Sequence, residues 1–219
     1  MRRLALSLSF VVAAALAHAG PVKVVPSEDP DVAAGWAAYR VEDYGKAIEH
    51  YRKAAAREER VAQFNLAVML MAGEGGRADP VEGVQWLRKS ANLGLARAQY
   101  ALGLLYERGE HVSRSLTEAT AWFLRAAENG HRDAQVSVGT QYFLGRGAPR
   151  DYREAARWYE RAAEQGDEGS AYIVASLYEK GDGVQLDRVR AFYWYSRAAA
   201  GGDPAAVYKA REMRELLSR

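Results

Sequence analysis

The sequence predicts an all-α protein: an α/α right-handed superhelical solenoid of helix pairs with a C-terminal capping helix. Three observations carry that expectation. Trp86, Trp122, Trp158 and Trp194 stand 36 residues apart without exception. The same step links Gly73, Gly109, Gly145 and Gly181, and also Ala91, Ala127, Ala163 and Ala199. Each period holds two stretches with apolar residues at helical spacing, separated by a glycine-bearing loop. A single helix pair cannot bury its apolar face alone, so such units must stack on one another.

The elements follow in order. Arg2 and Arg3 precede an apolar run from Leu4 to Leu16 and then Ala17-His18-Ala19. A charged start, a short apolar stretch and an A-x-A site read as a signal peptide over residues 1–19, cleaved after Ala19. The run is too short to span about 30 Å of hydrocarbon. Residues 20–28, with Pro21 and Pro26, read as a flexible leader. Residues 29–60 form a more compact helix pair: Gly35 and Ala47 are 12 residues apart, whereas Gly103 and Ala119 are 16. Four 36-residue units follow at 61–95, 96–131, 132–167 and 168–203. In the second of these, Ala98, Leu102, Leu105 and Tyr106 share a helix face and Gly109 stops the helix. Ser115-Leu116-Thr117-Glu118 then opens the next as a capping box. Asp43, Asp79, Ser115, Asp151 and Asp187 supply the N-cap column, again 36 apart. Pro80 and Pro204 sit at N1, where a missing N–H costs nothing. Residues 204–219 form a last helix, rich in Arg and Glu, expected to close the stack with a polar outer face.

These units resemble Sel1-like repeats, a subclass of the tetratricopeptide (TPR) superfamily. The marks are Ala-x-x-x-Leu-Gly-x-x-Tyr from Ala98 to Tyr106, Gly-x-Gly-Val/Ala at Gly181–Val184 and Gly145–Ala148, and Trp-Tyr/Phe-x-x-Ala-Ala-x-x-Gly at Trp158–Gly166. The resemblance covers 61–203, with 29–60 closer to a plain TPR. Ala67 and Leu70 depart from it where Gly103 and Tyr106 stand, as does Glu110-His111 in the loop. Some family members cross-link each pair with a disulfide. This chain has no cysteine, so packing alone must hold its pairs. The resemblance implies a non-enzymatic adaptor; family members act in bacterial envelopes, secretion, motility, host contact or ER-associated degradation. Joined to the signal peptide, it implies a periplasmic or secreted adaptor for a protein or peptide partner. A peptidoglycan-binding or cell-wall-hydrolysing envelope protein and a secreted host-interaction factor are the alternatives left open.

Composition narrows the chemistry. Thirty basic residues face 28 acidic ones, and cleavage after Ala19 would remove Arg2 and Arg3 and no acid, leaving the two balanced. No nucleic-acid partner is expected from such a chain, nor stable membrane insertion. The absence of cysteine excludes a thiolate metal site and a Cys nucleophile. The glycine loops lack the Gly-Lys-Ser/Thr ending of a phosphate-binding loop, and the histidines lack His-x-x-x-His spacing. No cofactor, metal or catalytic set is expected. A basic column, Lys53, Lys89, Arg125, Arg161 and Arg197, suits helix C-termini and also suits an anionic polymer. Glu128 and Glu164 are placed to pair with Arg125 and Arg161.

The Trp column at Trp86, Trp122, Trp158 and Trp194 is expected to be structural. A second stripe on the first helix of each pair is expected to line the concave face. Its apolar anchors are Trp36, Tyr39, Phe64, Met71, Tyr100, Phe143 and Tyr172. Exposed aromatic stripes mark interaction sites more often than solvated faces do.

Overall fold

Capping and stop residues set the helices. The structure, a computed structural model, describes residues 29–218. The expected signal peptide at 1–19 and leader at 20–28 lie outside the described residues. Eleven α-helices and no strand occur among those described. They are α1 Pro30–Arg40, α2 Tyr44–Ala56, α3 Arg60–Ala72, α4 Pro80–Asn92, α5 Ala96–Arg108, α6 Leu116–Glu128, α7 Arg132–Leu144, α8 Tyr152–Glu164, α9 Glu168–Lys180, α10 Arg188–Ala198 and α11 Pro204–Leu217.

The cap column works as side-chain acceptors. Asp79 accepts from the Glu82 N–H at 2.9 Å, Ser115 from Glu118 at 3.2 Å, and Asp151 and Asp187 each from two first-turn amides. Each such cap stabilises its helix by about 1 kcal/mol. Helices α3, α5, α7 and α9 stop on Gly73, Gly109, Gly145 and Gly181, with φ between +70° and +77°. The connecting loops then fold against a preceding helix. A β-carbon at Gly147 would strike the Leu116 carbonyl, so only glycine lets that loop lie so close. His111 occupies the matching column with φ +58°.

The described chain divides into two compact units between Arg114 and Ser115. The cut falls in the loop of the span 96–131. In the N-terminal unit α1 packs on α2, α2 on α3, α3 on α4 and α4 on α5. Val32, Ala47, Tyr51, Ala54, Leu66 and Met69 form its core. In the C-terminal unit successive helices from α6 to α11 pack likewise. Ala155, Tyr159, Val174, Tyr178, Trp194 and Tyr195 dominate that core. The pairs approach closely at a small residue: a β-carbon at Gly35 would lie 2.7 Å from the Tyr51 ring, and one at Gly139 would lie 2.9 Å from Tyr159.

A glutamine column ties neighbouring helices. The Nε2 groups of Gln63, Gln99 and Gln135 donate to the carbonyls of Ala55, Ala91 and Ala127 at 3.1–3.2 Å. Each satisfies a carbonyl in the last turn of the preceding helix, where intrahelical donors run out.

Helix α11 departs from its expected polar outer face. It buries only Ala206 and Met213, while Val207, Tyr208, Leu216 and Leu217 are exposed, Tyr208 to 67%. The Arg and Glu residues share its outer surface with these apolar ones.

Candidate functional site

The stripe of anchors divides once the side chains are placed. Phe64 and Met71 are corrected: they are 4% and 7% exposed, core filler rather than available anchors. The reason is the helix that carries them. In α3 ten of thirteen residues are buried, because RVAQFNLAVMLMA has no polar face to turn outward. Met71 also fills a gap left by sequence: a β-carbon on Gly83, where later repeats have Ala, would lie 2.5 Å from Met71 Cγ. Phe143 is half-buried and packs edge-on against Tyr152 at 5.3 Å and Tyr159 at 6.5 Å. Tyr172 is half-buried, edge-on to Tyr195 at 5.2 Å. It borders a cleft of about 480 Å³ with Glu168, Ala198, Asp203 and Ala206. Tyr100 is half-buried in the N-terminal unit.

Trp36 and Tyr39 make the most organised cluster. One helical turn apart on α1, their rings stack at 5.9 Å and 9°, and Tyr44 tilts against Tyr39 at 5.5 Å. Together with Tyr51, Asn65, Val68 and Met69 they line a narrow pocket of about 30 Å³, room for one or two waters. Its polar groups are unusual. Asn65 is 7% exposed, and its Oδ1 has no hydrogen-bond partner. The same side chain hydrogen-bonds Tyr51, whose hydroxyl is pushed up to about 12 chiefly by burial and drawn back by that bond. Beside the pocket the Tyr39 hydroxyl donates to Glu74 Oε1 at 3.2 Å, and Glu74 Oε2 has no partner. Burial raises the Glu74 carboxyl above its ordinary range, the tyrosine bond partly offsetting it. Burial, then the Glu74 charge, pushes Tyr39 to about 12. An unpaired buried acceptor costs about 1–3 kcal/mol, so this pocket favours a guest that brings a donor.

Sequence reasoning missed Asn65 and Glu74. Asn65 occupies a column that holds Ala101, Ser137 and Ile173 in later repeats. That break in the pattern was the available signal.

The Trp column is uneven. Trp158 and Trp194 are 2% and 4% exposed, whereas Trp86 and Trp122 are half-buried. The basic column lies on these rings. Lys89 Nζ sits 4.0 Å from the Trp86 centroid, and the guanidinium carbons of Arg125, Arg161 and Arg197 lie 4.5, 4.8 and 5.4 Å from Trp122, Trp158 and Trp194. The cations therefore cover tryptophan faces. The expected pairs of Arg125 with Glu128 and Arg161 with Glu164 are not among the ion pairs of the described residues. Lys53 pairs with Glu49 at 2.7 Å.

Among the described residues no cluster of three His, Asp or Glu side chains could hold a metal ion. No described helix is long and apolar enough to cross a membrane.

Comparison with known proteins agrees with this architecture. The family model described as Sel1 repeat matches residues 34–58, 60–95, 96–131, 132–167 and 169–203. A Sel1 repeat protein from Oxalobacter formigenes is similar at 34% identity and TM-score 0.73, over 80% of this chain and 72% of that one. The protective antigen c5321 of uropathogenic Escherichia coli, which has an SLR fold, matches at 31% identity and TM-score 0.73. That match covers 94% of this chain but only 43% of the antigen. No curated protein matches the chain.

Proposed function

Since this chain belongs to the Sel1 repeat family, commonly protein–protein interaction scaffolds, we propose that it is an exported, non-enzymatic adaptor holding a segment of another protein. The pocket of Trp36, Tyr39, Tyr51, Asn65, Val68 and Met69 is its contact point. The observation that carries this reading is Asn65 Oδ1, a buried carbonyl oxygen without a donor on an otherwise aromatic and aliphatic wall. A backbone N–H of a bound peptide is the group that satisfies it. An adjacent apolar side chain of the same peptide then covers Trp36 and Val68. Aromatic anchors of this kind dominate interface energetics. Export rests on residues 1–19 alone, and a bacterial envelope is the compartment that fits a cysteine-free exported chain.

A photocrosslinker in place of Trp36, in the full chain expressed in its own cell, tests the reading. A discrete adduct with one protein in the exported fraction is expected, with the chain beginning at Gly20. Equal adducts from exposed Arg153 on the other unit, adducts only with cell-wall glycan, or a chain that retains Arg2 and Arg3 would each refute the corresponding part.

A further inference from the structure

Gln63 and Gln135 stand two periods apart, and so do residues 93 and 165. In the C-terminal unit the site around Gln135 is closed. Gln135 Oε1 accepts from Gln165 Nε2 at 2.8 Å, and the same Nε2 reaches the Gly130 carbonyl at 3.3 Å. The Gln165 side chain thus plugs the slot between the ends of α6 and α8, and Trp158 of the same repeat is buried.

In the N-terminal unit the plug is missing. Gln63 makes the matching bond to Ala55 O at 3.2 Å, but residue 93 is leucine, 40% exposed, with no donor to give. Gln63 is 2% exposed and its Oε1 has no partner. A cavity of about 350 Å³ lies there, bordered by Ala55, Glu58, Gln63, Trp86, Lys89 and Asn92. Trp86 is half-buried, unlike Trp158. Lys89 lies over the Trp86 ring and takes part in no ion pair among the described residues.

We infer that this slot is a second recognition site, which takes a side-chain carboxamide, Gln or Asn, presented by a partner polypeptide. The guest sits as Gln165 does, its NH₂ donating to Gln63 Oε1 and to the carbonyl of Glu58, which occupies the Gly130 position. The chemistry selects a neutral amide. The floor is an acceptor that needs a donor. Lys89 and Glu58 put opposite charges at the mouth, so neither sign of guest charge is favoured, and the amide's own carbonyl accepts from Lys89 Nζ or the Asn92 amide. Neither the Trp36 pocket nor any of its residues takes part.

The test uses the whole chain, isotope-labelled, titrated with N-acetylglutamine methylamide while the Gln63 side-chain amide and the Trp86 indole N–H are followed by NMR. Saturable shifts at both groups are expected. N-acetylmethionine methylamide, of similar length but without the amide, should give at least tenfold weaker binding. Leu93→Gln supplies the missing plug: its spectrum should resemble that of the saturated wild-type chain and should not respond further. No saturable shift in the wild-type chain, meaning that water alone fills the slot, overturns the inference. So does an equal response to glucose, which would mark a glycan site, or unaltered binding by a folded Leu93→Gln chain. Gln63→Met, which removes the acceptor and keeps the length, gives a second reading that does not depend on Leu93.

Discussion

In the N-terminal unit three buried acceptors, Gln63 Oε1, Asn65 Oδ1 and Glu74 Oε2, lack donors, and Gln63 and Asn65 border openings. The C-terminal unit closes the matching positions. Gln135 receives Gln165. Ser137, in the Asn65 column, turns its hydroxyl back onto the Asp133 carbonyl at 2.9 Å. Its own buried tyrosine–carboxylate pair is completed as well: Glu179 accepts from Tyr195 at 2.6 Å and from Lys209 at 3.0 Å. Burial pushes the Glu179 carboxyl up, but those two bonds outweigh it and hold it below the usual range, whereas Glu74 has only a tyrosine and is raised. The C-terminal unit has buried orphans too, Trp158 Nε1 and Ser170 Oγ among them, but neither residue lines the cleft beside Tyr172. One repeat pattern thus yields, at the Gln63 and Asn65 columns, acceptors without donors in the N-terminal unit and hydrogen-bonded side chains in the C-terminal one. Unpaired acceptors lower stability, and positions that break local rules in this way tend to be functional.

The largest effect that can break this comparison is in the tryptophan column. Trp158→Ala should cost about 3–5 kcal/mol in urea titrations, as expected for a large buried side chain. Trp194→Ala should approach it, because Trp194 is also enclosed. Trp86→Ala and Trp122→Ala should cost markedly less. Burial, and not distance from the chain end, sets this order, so a weak effect at Trp194 with a strong one at Trp122 would contradict the packing described. The cation–ring contacts come next. Lys89→Gln should cost about 0.5 kcal/mol, the usual worth of an exposed cation–π pair.

The smallest effect is the pH response of Glu74. Its folded pKa is raised, so ionisation opposes folding. The penalty is absent below the ordinary carboxylate value of 4.5 and complete above the folded value. Glu74→Gln keeps an acceptor for the Tyr39 hydroxyl and removes the charge. The variant should match the wild-type chain near pH 4 and become slightly more stable as pH rises toward neutrality, with the difference read from melting curves. Lys209→Met should show the contrary sign in the other unit. It removes a bond that favours ionised Glu179, so its destabilisation should be present near neutrality and fade as pH falls through the carboxylate range.

The helices were legible because their punctuation repeats. Asp79, Asp151 and Asp187 capped where expected, and Gly73, Gly109, Gly145 and Gly181 stopped helices where expected. What the pattern could not carry was exposure. A stripe drawn at helical spacing treats all repeats alike, but α3 is apolar around its circumference and takes Phe64 and Met71 inward. The informative residues are the departures. Asn65 and Leu93 each break a column, Glu74 shares its column with Glu110, and column averaging hides what such positions do. The glutamine column at 63, 99 and 135 was present in the spacing, yet its role depends on carbonyl partners eight residues earlier, which only the fold brings together.

The central claim is that Asn65 is kept polar for a partner and not for the fold. Asn65→Leu measures it most directly, through the melting temperature of the free chain and the dissociation constant for the protein captured at position 36. Made in a Tyr51→Phe chain, which lacks the hydroxyl that Asn65 also bonds, and compared with that chain, the change removes only an unsatisfied buried acceptor and should leave the free protein as stable as before or more so. Binding should weaken by about tenfold or more, the equivalent of about 1.4 kcal/mol for one lost hydrogen bond. A variant that melts early while binding its partner unchanged would contradict the account and return Asn65 to the core.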